Sequence, residues 1–235
     1  MDLPDALRLA EAPEALIEWA PSDAREAFER CGSGPWLIWI AGSSGFPLDV
    51  LLRCVMSLVD DVVDELDEDT EGRDLILDAL DLAEDCLDGE ASGEECLEVA
   101  EECELVAEEP PATYRESVPP GFVDLCRASA WIARAAEGFE SSRRRLEAPR
   151  LEHAQHMGAL LGAGSHVFVP AERKVAVNAA ELPENETQAA LLFVVAALAE
   201  AVRHGESARR ELHDETAETA GAWTADRLRA AARDE

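Results

Sequence analysis

"RDLILDALDLAEDCLDGEASGEECLEVAEE", residues 73–102, decides the fold class. Its first acids stand at Asp74, Asp78, Asp81, Asp85 and Asp88, in alternating steps of four and three, which places them on one face of a helix over 73–88. The pattern recurs over 93–108 through Glu94, Glu98, Glu101 and Glu102, with Leu97, Ala100 and Cys103 assigned to the opposite side. Upstream, over 48–66, Arg53, Ser57, Asp60, Asp61 and Asp64 form a polar stripe against Leu51, Val55, Leu58, Val62 and Leu66. Three consecutive helices, each burying one face and showing an acidic one, predict an all-α multi-helix bundle.

Outside this region the reading is also helical. A short helix around 4–10 is followed by "APEALIEWA" and by "PSDAREAFERCG", where Ser22 or Asp23 can cap and Gly32 can stop. "GPWLIWIAG" places Trp36 and Trp39 on one face of a very apolar core piece. "EEPPATYRESVPPGF" carries four prolines and predicts a linker or ordered connection at 109–121 between an acidic and a more balanced half. Helix resumes from Phe122 to Pro149, then over 151–164, then over 182–205, with a charged helical tail from Glu206 that carries Trp223. The exception is "HVFVPAERKVAVNA", 166–179, whose alternating valines predict a small β-hairpin. The expected organisation is one helical domain over 1–235, because the apolar faces of the first half need cover.

The chain has 51 acidic and 20 basic residues, a net charge of -31. Residues 60–109 hold 23 of the acids and one base, Arg73. Such a surface repels phosphate backbones and anionic lipids, which argues against nucleic-acid and membrane binding and for a basic protein partner. Like charges three or four apart cost roughly a few tenths of a kcal/mol per pair, so an excess of them asks for a reason. The longest apolar stretches, "ALLFVVAALA" and "WLIWIA", are too short to cross a bilayer, and no basic segment followed by an apolar run opens the chain, so a cytoplasmic location is expected. Cys54, Cys86, Cys96, Cys103 and Cys126 sit in helical patterns among apolar neighbours and read as reduced, buried thiols.

Two constellations suggest metals and depart from the relevant patterns. Asp67, Asp69, Glu71, Gly72 and Asp78 occupy positions one, three, five, six and twelve of an EF-hand loop. Asp74 stands where an apolar anchor belongs, and Asp78 where a bidentate Glu is expected. Glu152, His153 and His156, with His166 nearby, are the second set; the two histidines share a helix face but lack the four-residue spacing of a zinc helix. No cofactor is assigned. "SSRRRL" reads as internal counter-charge for the acidic half. No nucleophile, base and orienting group stand together, so the chain reads as non-enzymatic.

Residues 25–103 resemble a family of helical immunity proteins from bacterial polymorphic-toxin systems. The resemblance lies in "AREAFERCGSGPWLIWIA", in "LLRCV" with its Arg-Cys pair, and in "LDALDLAEDCLDGEASGEECLEVAEEC" with its Leu-Asp-Gly connection. It implies a small cytoplasmic protein that neutralises a toxin made by the same or a sibling cell. An acidic inhibitor fits the basic cleft of a nuclease-like toxin as a steric plug, with complementary charge hastening encounter. The candidate partner-binding residues are Asp60, Asp64, Asp74, Asp78, Asp81 and Asp85 on the exposed stripes, with Tyr114 as an aromatic anchor or a packing residue of the Pro-rich segment. The alternative is a non-catalytic helical adaptor whose acidity serves solubility.

Overall fold

The computed structural model describes residues 2–114, 118–161 and 186–234, with side chains described over 2–114, 118–143 and 191–230. These residues form ten α-helices and a single 3₁₀ turn, with no strand among them. The hairpin expected at 166–179 lies outside the described residues.

The acidic helices begin and end where local chemistry demands. Helix α5 spans Leu48–Val63, α6 Arg73–Asp88 and α7 Gly93–Glu108. Gly72 and Gly89 bracket α6 with φ of 87° and 81°, left-handed values that favour glycine. Ser92 opens α7 with a capping box: its hydroxyl accepts from the Glu95 N–H, and the Glu95 carboxylate accepts from the Ser92 N–H. Inward residues of all three are fully buried, among them Val55, Val59, Val62, Ile76, Ala79, Ala83, Cys96, Ala100 and Cys103.

Four short helices precede them: α1 (Leu3–Leu9), α2 (Glu14–Trp19), α3 (Ala24–Arg30) and α4 (Gly34–Ser43). Asp23 caps α3 by accepting the N–H groups of Arg25 and Glu26. Trp39 is buried as expected, while Trp36 packs against Trp19 with ring centroids 5.5 Å apart.

The centre of the molecule is the pair α8 (Phe122–Leu161) and α9 (Glu186–His213), which pack against each other along small residues. Ala128, Ala133, Ala136, Ala197, Ala201 and Ala208 on these two helices are buried, and side chains this small let neighbouring helix backbones come close. Helices α5, α6 and α7 lie against α8; α4, α5 and α10 (Ala217–Asp234) lie against α9. The buried apolar residues form one cluster that runs from Leu3 to Leu228.

Helix α5 stops at Val63, with Asp64 as its C-cap, three residues short of the expected end at 66, and three further element boundaries differ from expectation. Helix α8 runs on through Pro149 to Leu161, where two helices were expected; a proline costs a helix about 3 kcal/mol without forbidding continuation. Helix α9 continues past Gly205 to His213; Gly205 faces α5, where a Cβ would lie 3.4 Å from Leu58 Cδ2, an ordinary contact, and a glycine inside a helix costs only about 1 kcal/mol. The expected tail helix from Glu206 is thus split: α9 takes its first eight residues, Asp214 turns the chain at φ 53°, and Thr216 accepts the Thr219 N–H at the start of α10.

Candidate functional site

The six aspartates proposed for partner binding are all exposed on α5, α6 and the turn that follows α5. The turn of the helix divides them. Asp60 lies near enough to Asp64, Asp81 and Arg73 to feel their charges, while the charge of Asp78 acts, with those of Glu102 and Glu104, on Cys103 of α7. Asp74 and Asp85 follow at helical spacing on α6. Partial burial, followed by the charges of Asp64, Asp61 and Asp81, raises the Asp60 carboxyl above its ordinary value, against the opposing pull of Arg73. Asp64 accepts from Arg73 at 3.1 Å; the other five enter no ion pair among the described residues.

Neighbouring acids are neutralised from elsewhere in the chain. Arg53 of α5 bridges to Glu84 at 2.7 Å and to Asp88 at 2.6 Å on α6. Arg134 of α8 grips both carboxylate oxygens of Glu104 on α7, with its guanidinium also 5.3 Å from the Trp131 ring. Arg209 of α9 reaches Glu65 at 3.1 Å, His213 pairs with the same carboxylate, and Arg227 of α10 pairs with Asp61. The arginines of the balanced half therefore secure the inner edges of the acidic helices and leave the outer ridge negative.

Of the arginines in "SSRRRL", expected to act as counter-charge, Arg143 has its side chain described. Arg143 donates to the carbonyl of Leu87 at 3.2 Å, at the C-terminal end of α6, where a cation is favourable. The side chains of Arg144 and Arg145 lie outside the described residues.

Tyr114 is half-buried. Its hydroxyl donates to the Glu71 carbonyl at 2.9 Å and its ring packs edge-on against Phe122, centroids 5.5 Å apart. Thr113 beside it donates to the Glu71 carboxylate, so the Pro-rich connection is pinned to the turn before α6. The residues of the EF-hand echo are split between that turn and α6, and no three His, Cys, Asp or Glu side chains among the described residues are grouped to hold a metal. Residues 153 and 156 lie on the helical backbone of α8, their side chains outside the described set; residue 166 lies outside it altogether.

All six cysteines are buried. Burial pushes the Cys103 and Cys126 thiols up to about 12, and contact with Cys86 followed by burial raises Cys96 further. Thiols held this far above neutrality are poor nucleophiles.

The residues that sequence reading missed are Leu97 and Leu105. Leu97 was assigned to the buried side of α7, yet it is 39% exposed, and Leu105 is 60% exposed. The warning was present in the spacing, since Leu105 falls four residues after Glu101 and seven after Glu98, on the acidic stripe itself.

No helix among the described residues is long and apolar enough to cross a membrane. Comparison with protein-family models, with curated proteins and with solved structures finds no match for this chain.

Proposed function

We propose that the protein is a cytoplasmic inhibitor of the immunity type, which binds a basic, nuclease-like toxin and occludes its active cleft with the acidic ridge of α5, α6 and α7. The observation that carries this reading is the uneven use of cations. Arg134, Arg209 and Arg227 tie down acids at the inner edges, while Asp60, Asp74, Asp78, Asp81 and Asp85 stay exposed and enter no ion pair among the described residues, Arg73 near Asp60 being paired with Asp64. A helix designed only for solubility would mix both signs on its surface and gain i,i+4 pairs. Here the like-charge cost is retained on one side of the molecule, as expected where that side serves a basic partner.

Charge of this kind acts first on encounter. Exposed ion pairs each contribute about 0–1 kcal/mol, so the ridge raises the association rate and sets the docking register more than it holds the complex together. Capture experiments at low and high salt, with lysate of the source cell, test the reading. One basic protein, held at low salt, released at high salt and inactive while bound, is the expected result. Capture of no basic protein would move the weight to an adaptor whose acidity serves solubility.

A further inference from the structure

The outer face of α7 is an unusual place for leucine. Its core side is already filled by Cys96, Val99, Ala100, Cys103 and Ala107, all buried against α6 and α8. Leu97 and Leu105 project instead to the surface, among the exposed Glu94, Glu98, Glu101 and Glu108. On α5, α6 and α7 no other large apolar side chain is exposed. The fold gains little from them: a Glu or Lys at either position would suit an exposed helix face as well.

The surroundings restrict what can cover these side chains. A second copy of the chain would bring its own carboxylates against the ring around the leucines, and like charges so placed are repelled. Nucleic acid and anionic membranes are rejected for the same reason. A basic protein surface satisfies both the ring and the leucines.

We infer that Leu97 and Leu105 are apolar anchors of a docking face on α7, built for a basic protein segment that presents two apolar side chains flanked by Lys or Arg. The inference rests on the inhibitor reading above and adds what holds the complex once charge has steered it together. Eight residues of helix separate the anchors by about 12 Å, which fixes the spacing the partner must match. Burying such leucines contributes an attraction that salt does not screen, whereas the carboxylates around them lose theirs within a Debye length of about 10 Å at 0.1 M salt.

The test uses the full chain and two lysine-rich helical peptides of equal charge. One carries two leucines eight residues apart, and the other has serines in their place. Fluorescence anisotropy at low and high salt should show the leucine peptide binding the native protein roughly tenfold or more tighter than the serine peptide. That advantage should persist at high salt, vanish in the Leu97→Ser/Leu105→Ser variant, and survive in Leu9→Ser, where a leucine on α1 as exposed as Leu105 is changed. Circular dichroism should show all three proteins folded, with melting temperatures lowered by no more than a few degrees, since Leu→Ser on a helix costs a few tenths of a kcal/mol in propensity and the side chains are at least partly exposed. Equal binding of both peptides to the native protein, or an advantage retained by the double variant, overturns the anchor assignment while leaving charge-driven binding intact. Failure of both peptides to bind at low salt overturns the inhibitor reading as well.

Discussion

Glu206 of α9 accepts the backbone N–H of Gly34, the first residue of α4, at 3.1 Å, joining segments 172 positions apart in the chain. No side chain fits at Gly34, where a Cβ would fall 2.4 Å from Thr224 Cγ2 and 2.5 Å from the Glu206 carboxylate itself. The carboxylate is thus enclosed where α4, α9 and α10 meet. Burial pushes it up to about 7 from an ordinary value of 4.5, although the Gly34 N–H and the Arg210 charge pull the other way.

That displacement has a definite sign. Between pH 4.5 and about 7 the folded protein holds a proton on Glu206 that the unfolded chain has released, so stability falls as pH rises through this window. Glu206→Gln keeps an acceptor for Gly34 and removes the titration. Urea midpoints measured from pH 5 to 8 should decline more steeply for the native protein than for the variant, with a difference of up to about 3 kcal/mol across the window. Parallel curves would show that Glu206 ionises freely in the folded state.

Asp124, in the first turn of α8, receives a hydrogen bond from His204 Nδ1 at 2.6 Å. Burial works to raise the Asp124 carboxyl, but the hydrogen bonds of His204 and Ser207 and the charges of His204 and Arg127 outweigh it and hold it below its ordinary value. His204→Ala leaves this partly buried carboxylate without its main donor and should cost about 1.5–3 kcal/mol at neutral pH. Asp124 supplies its stability above the ordinary carboxylate range and loses it as pH falls through its depressed value. The gap between variant and native protein should therefore close on acidification below about pH 4, as read by denaturant midpoints.

Tyr114→Phe separates two roles of that residue. It deletes the bond to the Glu71 carbonyl and keeps the ring against Phe122, so a loss of about 1 kcal/mol in thermal or urea unfolding is expected. If Tyr114 acts only through packing of the Pro-rich connection, affinity for the basic partner is unchanged.

Charge reversal on α6 should dissociate stability from binding. In Asp78→Lys/Asp81→Lys, the new lysines stand four residues from Asp74 and Asp85, turning like-charge neighbours into favourable pairs. Unfolding should be unaffected or harder by roughly 0.5–1 kcal/mol, while association with a basic partner slows and loses much of its salt dependence. A loss of stability would mean that these aspartates are held in the fold.

The three acidic helices were legible because periodicity and local boundary chemistry agree there: the bounds 73–88 and 93–108 are those observed, fixed by Gly72, Gly89 and Ser92. Where tertiary packing decides, local signals misled. Gly205 reads as a stop yet serves as a contact on α5, and Pro149 reads as a break yet lies within α8. The aspartates of the ridge were visible as a stripe. That all but Asp64 are left out of ion pairs among the described residues was not, since the arginines that neutralise Asp61, Glu65 and Glu104 come from positions 227, 209 and 134, pairings that only the packed α8, α9 and α10 create. Leu97 was misplaced for a related reason: a helix can fill its core side with Val, Ala and Cys and leave a leucine free for the surface.

An acidic ridge that covers the active cleft of a basic protein must silence it in proportion to the amount bound. The most direct measurement takes the basic protein captured from the source cell and assays its nuclease activity against increasing amounts of native protein and of Asp78→Lys/Asp81→Lys. Stoichiometric inhibition by the native protein, weakened at least tenfold in the variant and relieved by salt, is the predicted result. Full nuclease activity in the saturated complex, or equal inhibition by both proteins, would contradict the account.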